Sequence, residues 1–93
     1  MTRQVSQSPL SARQTKHLNK IEIEELDQEI RNLQKNPKSG EPKKGDLTGI
    51  HVHKFKAGKK LFLLAYEFDE RELLLVSLGP HENFYRDLKR YIR

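Results

Sequence analysis

The apolar run LFLLAY at residues 61–66, continued through Glu67 to Phe68, is the longest in this 93-residue chain. It is far short of the ~20 residues that an apolar helix needs to cross a bilayer, and it is strand length. A strand wetted on one face alternates in polarity, whereas a continuous run predicts cover on much of both faces. The run is therefore read as a central strand.

The segments around it carry clear punctuation. Ile50 and Val52 alternate with His51 and His53, which predicts a second strand, and residues 72–78 predict a third, joined to the first through the polar turn Asp69-Glu70-Arg71. Gly79-Pro80 is expected to close that last strand. Upstream, Ser8-Pro9 reads as an N-cap followed by a proline at the first helical position, opening a polar helix over residues 9–19 with Leu10, His17 and Leu18 as its face. Ile23, Leu26, Ile30 and Leu33 recur at helical spacing, and Asn36-Pro37 ends that second helix. Five acidic residues (Glu22, Glu24, Glu25, Asp27, Glu29) crowd its first turns, with Arg31 and Lys35 near its end. This order suits the helix dipole, and helix stabilisation is preferred to catalysis as its purpose. Phe84, Leu88, Tyr91 and Ile92 predict a short terminal helix, and residues 3–7 a weak edge strand. The expected class is α+β, with a small antiparallel sheet of three to four strands.

Composition enters as a bound. Ninety-three residues, 34% of them hydrophobic, are enough for one domain over 1–93 with a thin core and too few for two. The absence of Cys removes disulfides, thiolate metal sites and a cysteine nucleophile together. Residues 1–8 lack the apolar region of a secretory signal, so a cytoplasmic protein without membrane association is expected. The chain carries 18 Lys+Arg against 13 Asp+Glu, a net +5. Residues 38–60 alone hold seven basic residues (Lys38, Lys43, Lys44, Lys54, Lys56, Lys59, Lys60) against Glu41 and Asp46, and the remainder cancels. A basic middle on a balanced chain favours a polyanionic partner; a lysine-coated surface kept for solubility is the plain alternative. Within it, residues 38–49 form a loop rich in Gly, Pro, Lys and Ser, and loops of this length are often functional.

Three stretches carry a family resemblance: NPKSGEPKKGDLTGIHVHKFK (36–56), LLAYEF (63–68) and LGPHENFYRDLKR (78–90). With the element order they resemble the RelE/ParE superfamily of toxins from bacterial type II toxin–antitoxin systems, from about Ser8 onward. The resemblance implies a small antiparallel sheet with two N-terminal helices packed on one side and a short C-terminal helix. It implies a cognate antitoxin as partner, with operator DNA engaged only through that antitoxin. In the family's ribonuclease branch, the toxin enters the ribosomal A site and cuts mRNA; the ParE branch poisons DNA gyrase instead.

Cofactor-free RNA cleavage needs groups that take the proton of the 2′-hydroxyl, stabilise the crowded phosphate and protonate the leaving 5′-oxygen. His51 and His53, two apart in a strand, share one face, and the family's basic pair on the corresponding strand faces RNA. His81 and Tyr85 resemble the C-terminal His and aromatic pair of the ribosome-dependent nucleases. Folding is expected to bring both pairs over one concave sheet surface, with Lys54 and Lys56 on phosphates and Tyr85 also able to stack on a base. Many family ribonucleases carry Arg three residues before the strand tyrosine, where this chain has Leu63. The phosphate clamp must then come from Lys54, Lys56, Lys60, Arg86 or Arg90. Each residue has a plain alternative: the histidines as solvent decoration or a helix cap, Tyr85 as packing. A metal site of His51, His53 and His81 is the least favoured, since no carboxylate or thiol at a recognised ligand spacing accompanies them. The leading reading is a ribosome-dependent mRNA endonuclease; the alternatives are a non-catalytic gyrase inhibitor and a nucleic-acid or antitoxin-binding module.

Overall fold

The computed structural model describes residues 2–92. Five strands form one sheet: β1 (Gln4–Gln7), β2 (Glu41–Pro42), β3 (His51–Ala57), β4 (Lys60–Phe68) and β5 (Glu72–Pro80), in the order β1-β5-β4-β3-β2. The expected central strand is β4, and Phe62, Leu63, Leu64, Ala65 and Tyr66 are all buried, at 4% exposure or less. Its neighbours on both sides are antiparallel, but β1 runs parallel to β5, so the sheet is mixed and five-stranded and departs from the expected antiparallel three or four. The reason is connectivity. The chain leaves β1 through two helices and most of the sheet before β5 arrives beside it, so no hairpin constrains their direction. The 38–49 loop contributes β2, and Gly79-Pro80 continues β5 instead of closing it, with Pro80 opposite Phe62.

Each face of the sheet has its own cover. Helix α2 (Lys20–Lys35) lays Leu26 and Leu33 on Phe55, Phe62, Leu64, Tyr66 and Leu73. It starts on a capping box: the Asn19 side chain accepts from the Glu22 N–H at 2.8 Å, and the Glu22 carboxylate accepts from the Asn19 N–H at 2.9 Å. On the opposite face, helix α3 (Phe84–Ile92) buries Phe84 and Leu88 against Leu63, Ala65 and Val76, with Leu47 and Ile50 filling the flank. Val76 is the extra residue of a bulge in β5, between the partners of Ala65 and Tyr66.

Helix α1 (Pro9–Thr15) starts at the expected cap, with Ser8 Oγ accepting from the Ser11 N–H at 3.0 Å. It stops four residues before the expected end. His17 and Leu18 turn back on Gln14 and Thr15 through shorter-range bonds, which break the helical repeat. Its buried residue is Ser11; Leu10 and Leu18 are half-buried and His17 is exposed, so the expected apolar face is not what docks it. Polar bonds do that. Ser8 Oγ donates to the Val76 carbonyl, Gln14 Oε1 accepts from the Leu78 N–H at 2.7 Å, and Gln14 Nε2 donates to Ser77 Oγ at 3.3 Å.

The 38–49 loop is anchored from below by Tyr66, which is fully buried. Its hydroxyl donates to the Pro37 carbonyl and accepts from the Gly40 N–H at 3.0 Å. A side chain at position 40 would fall on that hydroxyl, so the close approach requires glycine. Burial pushes the Tyr66 phenol above its ordinary range against the pull of the Gly40 bond.

Candidate functional site

Alternation along β3 divides the predicted residues between the two faces. Val52 belongs to the α3 side and Phe55 and Ala57 to the α2 side, so Lys54 and Lys56 fall with Val52, while His51 and His53 fall with Phe55. The two histidines are therefore on the helix α2 face. His53 Nε2 lies 2.6 Å from Glu29 Oε1 of α2, and both side chains are largely covered. Burial pushes the Glu29 carboxyl up, but the bonds from His53 and Glu25 and the charge of His53 prevail, holding it below its ordinary range. Glu25, bonded to Glu29, is pushed up in turn. The His51 ring packs 5.7 Å from that of Tyr66 and 4.9 Å from that of Phe68, with Nδ1 buried and without a partner.

Tyr85 lies on the other side. It is half-buried against the cluster of Phe84, Leu88 and Val52 that α3 closes, with its ring 5.2 Å from that of Phe84 and nearly perpendicular to it. The expectation that both pairs share one concave surface is thus overturned: the pleat sends His51 and His53 beneath α2, and α3 covers the reverse face. Nor do His51, His53 and His81 assemble a metal site; no group of three or more His, Cys, Asp or Glu gathers in a metal-holding arrangement among the described residues.

A turn fixes the approach to Tyr85. The His81 N–H donates to the Leu61 carbonyl at 3.3 Å, and the His81 carbonyl accepts from the Phe84 N–H at 3.4 Å. Asn83 adopts a left-handed backbone, φ 65°, which Asn tolerates better than most residues, and its carbonyl receives the Asp87 N–H at 3.1 Å as α3 begins. His81 is exposed at the end of β5, beside Leu61, whose cross-strand partner is Lys56. Lys54 and Lys56 are both exposed, and so are Arg86 and Arg90 on α3; Arg86 Nε sits 3.5 Å from Asp87 Oδ1. Lys60 departs from this group. Its Nζ lies 4.0 Å from Glu22 Oε2, on the rim of a cleft of about 370 Å³ between the start of α2 and the end of β5.

One member of the site escapes sequence reasoning. Lys43 Nζ stands 5.1 Å from the centre of the Tyr85 ring and 3.2 Å from Glu41 Oε2. Tyr85 first, and Glu41 after it, hold the Lys43 ammonium above its ordinary range, against some loss of hydration. The position comes from the strand ladder: the Lys43 N–H donates to the Ile50 carbonyl at 2.9 Å, which carries the chain from β2 to the flank of α3. In the sequence Lys43 is one of seven basic residues between 38 and 60, and nothing local distinguishes it. What results is a surface with a half-buried phenol, an ammonium against its ring, two lysines along the neighbouring strand and an imidazole at the strand end. Such a set can hold phosphate oxygens and move protons.

Residues 5–89 match the family of ParE-like toxins of type II bacterial toxin–antitoxin systems. The chain belongs to that family. No curated protein matches it. Membership establishes the toxin role and a cognate antitoxin as partner of this ParE-like toxin. No helix among the described residues is long and apolar enough to cross a membrane.

Proposed function

We propose that this ParE-like toxin is a ribosome-dependent mRNA endonuclease, which cuts by attack of a 2′-hydroxyl on the adjacent phosphate without a cofactor and so stops translation in the cytoplasm. The observation that carries the reading is the grouping of Tyr85 and Lys43 on the face that also bears Lys54 and Lys56, with His81 at its border. In this reading His81 exchanges a proton with the reacting oxygens, as an imidazole can near neutrality. Tyr85 presents its hydroxyl to the same phosphate or its ring to a base. Lys54, Lys56, Arg86 and Arg90 neutralise RNA phosphates, while Lys60, His51 and His53 stand outside the reacting set because of their contacts with Glu22, Tyr66 and Glu29.

The test pairs two measurements. His81→Ala and Tyr85→Phe should each slow mRNA cleavage on purified ribosomes by about 10²- to 10⁴-fold, the range for loss of a general acid or base. Melting temperature and antitoxin binding should stay close to those of the parent. Primer extension after brief induction of the parent should show discrete, codon-positioned mRNA ends. Full cleavage by both variants, or no such ends, would sink the proposal.

A second reading, inhibition of DNA gyrase without catalysis, is favoured by one observation. Leu63, at the place where many family ribonucleases carry Arg, is fully buried beneath α3 and supplies no charge. That reading predicts a DNA-damage response on induction, with intact mRNA.

A further inference from the structure

Sheet edges carry unpaired N–H and C=O groups, and natural proteins guard them with lysine, proline or very short strands. The two edges of this sheet are guarded unequally. On one side β2 is two residues long and contains Pro42, and β3 beyond it presents Lys54 and Lys56. On the other, β1 reads Gln4-Val5-Ser6-Gln7, with neither a charge nor a proline. Its ladder with β5 uses alternate residues: the Gln4 N–H donates to the Arg71 carbonyl at 2.9 Å and the Ser8 N–H to the Leu75 carbonyl at 2.8 Å. By that alternation, Val5 and Gln7 turn their backbone groups outward. Both residues are exposed, Val5 at 37%.

Beside this edge runs a groove of about 430 Å³ between β1 and α2. Val5, Ile23, Leu26 and Ile30 make it apolar, and Lys16 and Asp27 stand on its walls. Ile23 is 42% exposed there and lines the groove together with Val5, Leu26 and Ile30, so that the apolar surface is grouped and not scattered.

We propose that β1 pairs antiparallel with β1 of a second copy of this chain, with Val5 of each copy facing Gln7 of the other across a two-fold axis. Three features select a second copy as occupant. An uncharged strand meets its own image without like charges opposed. The groove carries one cation and one anion, Lys16 and Asp27, so two copies meeting across a two-fold axis offer each other opposite charges as well as apolar walls. The outward groups of Val5 and Gln7 are complementary under that axis, each residue offering one donor and one acceptor. The apolar groove of each protomer is then closed by the other. This goes beyond the toxin reading and does not depend on it.

Sedimentation equilibrium of the purified chain over a wide concentration range tests the pairing. The wild type should approach twice 11.0 kDa at the upper end. Val5→Pro removes an outward N–H and no bond of the β1–β5 ladder, so it should remain monomeric throughout with its melting temperature at low concentration unchanged. Ile23→Asp, on the exposed wall of the groove, should also remain monomeric, and it decides the matter if Val5→Pro fails to fold. A wild type monomeric at every concentration, or a dimer that survives both substitutions, would overturn the proposal. So would Val5 and Gln7 amides that slow in hydrogen exchange only on adding antitoxin, which would give the edge to an antitoxin strand instead.

Discussion

Tyr66→Phe deletes one oxygen atom and should be among the most destabilising conservative changes in this toxin. The hydroxyl satisfies two backbone groups, the Pro37 carbonyl and the Gly40 N–H, and Pro37, Gly40 and Tyr66 are all buried. Phenylalanine fills the same space but leaves a donor and an acceptor unpaired. A buried polar group left without a partner costs about 1–3 kcal/mol, so the pair amounts to about 2–4 kcal/mol, allowing for some relaxation toward water. A domain of this length has about 5–14 kcal/mol in total, and each kcal/mol moves the melting temperature by roughly 4–8 °C. The melting temperature followed by circular dichroism should therefore fall by at least about 8 °C, and the Gly40 amide should lose protection in hydrogen exchange. Gly40→Ala should be comparably damaging, since the new methyl group falls on the same oxygen. In the Tyr66→Phe background its cost should shrink, because the atom it strikes is gone; the two changes are coupled and not additive. A drop of less than about 2 °C for Tyr66→Phe would refute the satisfaction argument, and additive losses in the double variant would refute the steric one.

Three further outcomes follow from other parts of the molecule. Asn19→Ala removes the α2 cap and should cost about 1 kcal/mol by denaturant unfolding, with an unchanged slope against denaturant. Glu29→Gln tests linkage. The Glu29 carboxyl is held below its ordinary value, so its contribution is present above that value and lost as pH falls through the lowered one; the gap in melting temperature between parent and variant should narrow as acid is added, and a gap constant with pH would contradict the His53 pairing. Replacing Lys54 and Lys56 together with Ala should weaken ribosome binding and flatten its logarithmic salt dependence by about 0.7 for each RNA phosphate no longer neutralised, whereas an unchanged slope would place both lysines off the RNA-binding surface.

Much of the scaffold was legible because it rests on local signals. The Ser8-Pro9 start of α1, the apolar spacing of α2 and the continuous run of β4 each act within a few residues, and each element formed where its signal lay, whereas the Asn19 cap of α2 fell inside the stretch read as the end of the first helix. The end of α1 was not legible, because what docks that helix is a glutamine reaching two positions in β5, more than sixty residues away. The direction of β1 was hidden for a related reason: four residues of weak alternation look the same paired parallel or antiparallel. The site suffered most. Along β3 both faces alternate polar with apolar, Val52 with Lys54 and Lys56 on one and His51 and His53 with Phe55 on the other. Periodicity fixes that two residues share a face but not which helix covers it, and only the placement of α2 and α3 decides.

That division changes how losses of function are to be read. His53 is tied to Glu29 and so to the helix that covers half the core, so a substitution there acts on stability and on activity together. His81 is exposed and its structural bonds are backbone bonds, which any residue but proline can make at that N–H. A change of its side chain should therefore act on chemistry with little effect on folding. If activity fell in step with stability across a series at both positions, packing would explain the whole effect. If it fell at His81 with the melting temperature held, the imidazole itself would be required, and the α3 face would be identified as the working one without reference to the other side of the sheet.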